Sequence, residues 1–396
     1  QYAAHIKDWQ AGDPLWKDGR GKGMIGGINY LASVGVNALY FLTLNLEGDG
    51  RDVWPYRDPA DFTRFDCSKL DQWEMVFSHL QAKGILLHIV TQETENETLL
   101  DGGDTGPLRQ LYYLELISRF GHHLGLVWNL GEENGPADFS PVGQTTAQRK
   151  AMASFFKDRD PYQHPVVLHT HSTAHHKKTI LTDLLGFEDL DGLSFQVDQR
   201  ERVHQEIRFW REEAVKAGHE WSIGMDEIGM WHTGALPDSV DPEHHSLRRH
   251  ALWGSLLGGA AGVEWYFGAR HPHNDLTAED WRSRAHLWDQ TRHAWTFFTE
   301  HLPWWRMKPG TDHPGEGYCL GIEGELYAIY ATADERPVTM DLPATKGGRV
   351  FELRWYDPLK GGELQIGSEA IMPGFGVRGL GEPPHSPEQD WVILLR

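Results

Sequence analysis

The chain has 396 residues, of which 40% are hydrophobic and 17 are Trp, so it can bury a large core. Its 37 Lys and Arg are outnumbered by 57 Asp and Glu, which gives a formal net charge of −20. This balance argues against nucleic acid or an anionic membrane surface as a partner, because both recruit basic patches.

The first ten residues, QYAAHIKDWQ, have neither the basic start nor the apolar stretch of a signal peptide, and no initiator Met. We therefore expect a trimmed start and a natural precursor that is secreted or periplasmic. No stretch of 18 apolar residues occurs, so the sequence predicts no membrane insertion. Cys67 and Cys319 are far apart and form no CxxC pair or disulfide framework.

Seven apolar runs recur along the chain, and most of them follow a stretch with helical periodicity. They span 36–45, 84–93, 124–133, 165–172, 190–198, 221–230 and 262–268. Runs that are apolar on both faces and alternate with helices are typical of parallel βα units. We expect a (β/α)8 TIM barrel over residues 1–302, whose first strand lies upstream or is poorly recognisable. An open doubly wound sheet is the alternative, but no GxGxxG or GxxxxGK[ST] loop follows any strand.

The composition changes near residue 303, where Pro and Gly become frequent. We interpret residues 303–311 as a linker. Beyond it, short alternating runs are separated by turn residues. This pattern predicts a small C-terminal antiparallel β-sandwich over residues 312–396.

Polar and aromatic residues gather at the ends of the predicted strands, where a TIM barrel carries its active site. Aromatic faces suit the C–H side of a sugar, and polar side chains suit its hydroxyls. The sequence therefore predicts a carbohydrate partner and a mouth lined by Asn45, Trp54, Tyr56, Glu132, Asn134, His169, His171, Gln196, Asp226, Trp231, His232, Trp265 and Tyr266. Packing at the barrel rim is the alternative role for Trp54 and Tyr56.

Two strand ends are rich in carboxylates, GEEN and MDEIG. Neighbouring side chains on a strand face opposite sides. In each of these two pairs of adjacent acids, only one side chain should therefore line the cleft. Glu133 and Glu227 are 227 − 133 = 94 residues apart. That separation is about three βα units of roughly 30 residues, which places them nearly opposite each other. Two such carboxylates can hydrolyse a glycosidic bond, whereas helix capping is the alternative for each acid alone.

His169 and His171 are spaced i, i+2, and metal binding is their alternative role. Without a clear third ligand, we predict that they line the mouth and that the protein needs no metal or cofactor. A metal-dependent hydrolase and a non-catalytic carbohydrate-binding barrel are the alternative functions. The sequence leaves open the sugar, its linkage, exo or endo action and the oligomeric state.

These motifs resemble clan-A-type TIM-barrel glycoside hydrolases, whose acid/base ends the fourth strand and whose nucleophile ends the seventh. WNLGEEN is similar to the WxLGGD-type motif of apiosidase-like hydrolases, and RWYDPLKGG with DWVILLR resembles their C-terminal collagen-binding-type domain. A Glu pair replaces the Gly-Asp of that motif. The resemblance implies a retaining mechanism on a plant or algal polysaccharide or oligosaccharide. It makes Glu133 the acid/base, with Glu132 in support, and Glu227 the nucleophile, with Asp226 facing the other way.

Overall fold

The fold was obtained as a computed structural model that describes residues 2–48, 50–229, 232, 234–274, 277, 279–310, 317–343 and 349–396. Seven parallel strands form one sheet in chain order: β1 Ala38–Leu42, β2 Leu86–Val90, β3 Leu126–Asn129, β4 Val166–His169, β5 Gly192–Val197, β6 Ser222–Ile228 and β7 Gly262–Val263. The sheet curls and alternates with helices. This arrangement is that of a (β/α)8 barrel, which confirms the predicted fold class.

The described residues also form eight α-helices. They are α1 Lys22–Ser33, α2 Cys67–Ala82, α3 Pro107–Phe120, α4 Thr146–Arg159, α5 Ala174–Leu181, α6 Val203–Lys216, α7 Gly254–Leu257 and α8 Ala285–His301, and a π-helix, Leu247–Trp253, leads into α7. Capping residues in the local sequence define where some of these helices begin. The Asp66 carboxylate caps α2, and Thr145 with Gln148 forms a capping box on α4. No helix among the described residues is long and apolar enough to cross a membrane.

The C-terminal region is antiparallel β, as predicted. Its strands are β8 Lys308–Pro309, β9 Tyr318–Ile322, β10 Leu326–Ala331, β11 Thr339–Leu342, β12 Val350–Tyr356, β13 Ile371–Pro373, β14 Gly376–Gly379 and β15 Trp391–Leu395. Six of them form one sheet in the order β13-β12-β15-β10-β9-β8, and β11 pairs with β14. Met340 and Leu342 of β11 share one core cluster with Trp355 of β12 and Trp391 and Ile393 of β15. Side chains from both sheets thus form a common core.

By internal contacts the chain divides into two compact units. The first contains residues 1–199, 210–237 and 264–284, and the second contains 200–209, 238–263 and 285–396. Within the second unit, the Trp253 and Phe297 ring centroids are 5.5 Å apart, and those of Phe297 and Tyr356 are 4.9 Å apart. The last barrel helix is therefore packed against the C-terminal sheet. Independent domains bounded at 1–302 and 312–396 stay a prediction.

Candidate active site

Tyr40 of β1 lies in the barrel interior, at a position that the sequence analysis did not single out. Its ring contacts the rings of His88 and His169 edge-on, with centroid distances of 5.0 and 5.9 Å. Its hydroxyl is buried and has no hydrogen-bond partner within the described part of the chain. Burial raises the pKa of this hydroxyl well above its ordinary value, and so do four nearby carboxylates, those of Glu132, Glu93, Glu227 and Glu264. Carboxylates from four strand ends thus converge on one ring.

Glu132 and Glu133 lie in a turn, because β3 already ends at Asn129. The expectation that strand alternation separates their side chains is therefore wrong. Glu133 has a φ of 38°, a left-handed conformation that is uncommon for a residue other than Gly. Its N–H donates to Nδ1 of His169 at 3.0 Å, which ties the turn to β4. The negative charge of Glu132 acts on Tyr40.

Strand β6 contains a β-bulge at Asp226. Phe195 of β5 pairs with Met225, but the next residue, Gln196, pairs with Glu227. Asp226 is therefore the extra residue of the bulge. A bulge re-aims the side chains around it, so the regular alternation of faces stops here.

Both acids of this strand consequently reach interior histidines. Oδ2 of Asp226 lies 3.9 Å from Nδ1 of His88, and Oε2 of Glu227 lies 3.7 Å from Nε2 of His169. The prediction that Asp226 faces away from the Glu227 side is wrong, because it assumed an unbroken strand. Asp226 nevertheless lies in the interior, as its assignment to the mouth requires.

His169 is a neutral ring with a defined tautomer. Nδ1 accepts the N–H of Glu133, so the ring proton resides on Nε2, which faces the Glu227 carboxylate. Burial lowers the pKa of His169 to about 3, and nearby positive charges act in the same direction. The ring therefore presents an N–H dipole to Glu227 across the whole neutral pH range.

A hydrogen-bonded relay connects Asn129 of β3 with His88 of β2 and with Glu264, which follows β7. Oδ1 of Asn129 accepts the N–H groups of Gly131 and His169, each at 3.2 Å, so its amide nitrogen faces Nε2 of His88 at 3.0 Å. His88 therefore carries its proton on Nδ1 and donates it to Oε1 of Glu264 at 3.0 Å. Neither Asn129 nor His88 was predicted, because each occupies one position within an apolar run.

Asp226 joins this relay as a carboxyl with an unusual protonation state. Burial and the negative charge of Glu264 raise its pKa to about 7, while His88 and Ser194 oppose that shift. His88, Asp226 and Glu264 also offer three potential metal-ligand atoms within 4.8 Å of one another. A cation at this position would displace the proton that His88 donates to Glu264. The geometry is thus that of a hydrogen-bonded relay, and it involves neither of the histidines considered for metal binding, His169 and His171.

Two residues predicted to line the mouth, Asn134 and His171, contribute to the packing around the turn that contains Glu132 and Glu133. The buried Asn134 donates to Oε1 of Gln144 at 2.8 Å and accepts from Arg149 at 3.3 Å, so both ends of its amide are used within the protein. The buried His171 contacts the carbonyl of Gly135 through Nε2 at 3.0 Å. These contacts show that Asn134 and His171 help to position the turn, and their direct binding of sugar stays a prediction.

The buried Glu97 extends this support. Its carboxylate accepts the backbone N–H groups of Gly135 and Gln144, and burial raises its pKa to about 7. Glu97 therefore holds both ends of the loop between Gly135 and Gln144 by hydrogen bonds. No sequence motif marks this position, since a Glu in TQETENE shows no sign of its burial.

The remaining predicted residues divide between mouth and core. Asn45 is buried beside Glu93, with its amide nitrogen 3.4 Å from Oε2. Oε1 of Gln196 is buried and has no hydrogen-bond partner among the residues the structure describes. Tyr56 is fully buried against Phe65 with a ring-centroid distance of 5.3 Å. The alternative reading of Tyr56 is therefore the right one, because it packs in the core and cannot be a sugar platform.

Apart from Tyr56, the Trp and Tyr residues predicted to line the mouth are half-buried where the structure describes them. Trp54 is half-buried, and the Lys69 ammonium lies 4.3 Å from its ring centroid, so one face of the indole is already covered. His232, Trp265 and Tyr266 are half-buried. Trp231 lies outside the described residues, so its predicted role stays a prediction.

Comparison with known proteins agrees with this architecture. No protein-family model matches the chain, and no curated protein matches it. Among solved structures, a glycoside hydrolase family 5 protein from Bacteroides vulgatus superposes with a TM-score of 0.68 at 16% identity, covering 94% of this chain and 84% of that one. A second structure, described as a glycoside hydrolase, has the same TM-score and identity and covers 94% and 88%. At this identity the likeness establishes a shared fold, that of family 5 glycoside hydrolase structures, over almost the whole chain.

Proposed function

We propose that the protein is a retaining glycoside hydrolase acting on a plant or algal polysaccharide or its fragments. The observation that carries the proposal is the convergence of Glu132, Glu93, Glu227 and Glu264 on the buried hydroxyl of Tyr40. A mouth that combines carboxylates with amide and hydroxyl groups suits a substrate rich in hydroxyls. The shared fold supports the reaction class by analogy only.

Glu227 is the proposed nucleophile. It is the penultimate residue of β6, and the neutral N–H of His169 faces its carboxylate. An N–H dipole stabilises the ionised form that attacks the anomeric carbon. In a retaining enzyme this carboxylate forms the glycosyl-enzyme, and water later releases the sugar with the acid/base group now accepting a proton.

The turn after β3 supplies the proposed acid/base. Glu133 is the residue that aligns with the family motif, and its backbone N–H donates to Nδ1 of His169. The negative charges of Glu132 and Glu227 both act on Tyr40. We therefore place Glu132 first and Glu133 second for protonating the departing oxygen. Such a proton transfer contributes typically about 10²- to 10⁴-fold in rate.

The subgroup of glycoside hydrolase and the type of C-terminal domain are also part of the proposal. The WNLGEEN motif supports an apiosidase-like group, and RWYDPLKGG with DWVILLR supports a collagen-binding-type C-terminal domain. Secretion or periplasmic export belongs to the same proposal, since a polysaccharide substrate lies outside the cytoplasm.

A screen of plant and algal polysaccharides tests the function. The purified chain is incubated with each polymer, and released sugars are separated and identified. We expect products from at least one polymer, and no products from the Glu227→Gln variant. A wild-type chain that binds a polymer tightly but releases nothing would support the non-catalytic alternative. Turnover lost with a chelator and restored by metal would support the metal-dependent one.

A further inference from the structure

We propose that Glu74, His122 and His123 form a binding site for a divalent transition-metal ion of the zinc type in the helical layer of the barrel. Glu74 lies in α2, and the two histidines follow the end of α3. The three residues offer ligand atoms that lie within 4.8 Å of one another. The proposed hydrolysis uses none of them.

The distances match those between ligands around a small ion. Nε2 of His122 lies 3.5 Å from Oε1 of Glu74, and Nε2 of His123 lies 3.3 Å from Oε2. Zinc bonds of about 2.0–2.2 Å in a tetrahedron separate neighbouring ligands by about 3.3–3.6 Å. The two imidazole rings lie side by side with a centroid distance of 4.2 Å, so both face the same carboxylate.

Hydrogen bonding fixes the tautomer of His123. Oε1 of Gln81 accepts the N–H of Leu124 at 3.0 Å and lies 3.2 Å from Nδ1 of His123. That oxygen is an acceptor, so Nδ1 must carry the ring proton. In the neutral ring Nε2 then turns a bare lone pair toward a carboxylate oxygen of Glu74 3.3 Å away.

Two acceptors at this distance repel each other unless a proton or a metal ion lies between them. A metal ion satisfies both lone pairs at once and leaves the hydrogen bond to Gln81 intact. A ligating His that donates its other N–H to a fixed oxygen is the usual arrangement of a metal site.

The surroundings complete the site. Oγ of Ser78 donates to Oε1 of Glu74 at 2.7 Å, which orients the carboxylate. Glu74, Ser78 and Gln81 are spaced i, i+4 and i+7, so they share one face of α2. His122 is 49% exposed and Glu74 is 35% exposed, so water can fill the open coordination position. A bound ion would join α2 to the end of α3, and we assign it a stabilising role.

Zinc titration of the untagged, chelator-treated full-length chain tests the proposal. Zn²⁺ alone is the probe, and competition with a chromophoric chelator gives its affinity. We expect Glu74→Gln and His122→Ala to weaken this affinity by more than the roughly 10- to 100-fold that loss of an outer-shell contact causes. Ser78→Ala should fall within that range. Thermal unfolding should shift upward with zinc in the wild type and not in Glu74→Gln.

Controls separate this site from other ligands in the chain. His175→Ala removes one of another adjacent pair, His175 and His176, which belongs to no group of three potential ligands in the described residues. This variant should bind zinc as the wild type does. Replacing His88, of the interior relay, should likewise leave the measured affinity unchanged. Wild-type zinc affinity in both Glu74→Gln and His122→Ala, with circular dichroism showing both folded, would overturn the proposal.

Discussion

Nε2 of His169 lies 3.7 Å from Oε2 of Glu227, and the ring proton points into that gap. The distance exceeds that of a normal hydrogen bond. Such contacts often shorten when substrate binds. The neutral imidazole therefore provides a fixed dipole that favours ionised Glu227 and orients it. His169 acts through Glu227, which makes it a positioning residue.

Replacing this dipole should change the pH profile as well as the rate. In His169→Gln we expect kcat/KM to fall by about tenfold or more, since a hydrogen bond to a charged group contributes about 1.5–3 kcal/mol. The acidic limb of the profile should also move to higher pH, because the ionised form of Glu227 loses stabilisation. Steady-state kinetics on an aryl glycoside between pH 4 and 9 measure both effects. His171→Gln is the control, because His171 supports the turn without facing Glu227. An acidic limb that stays in place in His169→Gln contradicts the positioning role.

Chemical rescue can show which of the two adjacent glutamates, Glu132 or Glu133, is the acid/base. Removing the acid/base by Glu→Gln should slow poor leaving groups far more than activated aryl ones, because only the former need the proton. We expect this pattern for Glu132→Gln, with azide restoring turnover and giving a glycosyl azide of retained configuration. Glu227→Ala with azide should give the inverted product. Glu133→Gln should keep the backbone N–H that donates to His169, and it should slow poor and activated leaving groups to a similar, small extent.

Product configuration, read by NMR, distinguishes the assignments. If Glu133→Gln shows the leaving-group dependence and Glu132→Gln does not, the motif alignment is correct and our order is reversed. If the wild type releases a product of inverted configuration, the retaining mechanism is wrong and Glu227 is a general base.

The alternation of strands and helices could be predicted because it depends on local periodicity, which every βα unit repeats. The predicted runs 84–93 and 190–198 contain β2 and β5, whose side chains are almost all buried. The chemistry at strand ends was less predictable. The bulge at Asp226 depends on the register with β5, and the left-handed Glu133 depends on its bond to His169. Neither feature has a signal in the local sequence.

Interior polar residues escaped prediction for a related reason. Tyr40 and His88 each occupy one position of an apolar run, and a single polar residue there does not reveal which face it takes. Tyr56 was the opposite case, since DVWPYRD has the composition of an exposed loop while its Tyr is fully buried. Burial is set by the residues that pack across it, which lie far away in sequence.

The raised pKa of Asp226 predicts a pH-dependent stability. Its folded-state pKa of about 7 lies above the ordinary value, so ionising it in the folded state costs free energy. By linkage this cost is absent below about pH 4, grows as the pH rises toward 7 and is complete above that. Asp226→Asn has no such cost. We expect its urea midpoint to exceed that of the wild type by more at pH 8 than at pH 4. An equal difference at both pH values would show that folding does not raise the pKa of Asp226.

Asp390 illustrates the opposite case, in the second unit. It is buried, and its two oxygens bind Nε and Nη2 of Arg249 at 3.0 and 2.9 Å. The Tyr330 hydroxyl, the Ala333 N–H and the His245 ring lie 3.0, 2.9 and 3.1 Å away. Although burial alone would raise it, these donors hold the pKa of Asp390 well below its ordinary value.

Removing this charge should therefore cost stability at neutral pH. Breaking a buried ion pair from one side typically costs about 3–5 kcal/mol, and we expect about 3 kcal/mol for Asp390→Asn because the amide keeps part of the network. Since the folded pKa is depressed, the stabilisation is complete above about pH 4 and is lost as the pH falls toward the folded value. Urea unfolding should thus show a smaller difference between variant and wild type at pH 3 than at pH 7. Asp334→Asn is the matched control, because Asp334 lies 3.6 Å from the same Arg249 but is 83% exposed. That control should change stability by less than about 0.5 kcal/mol. A similar small change for Asp390→Asn would mean that the network contributes little.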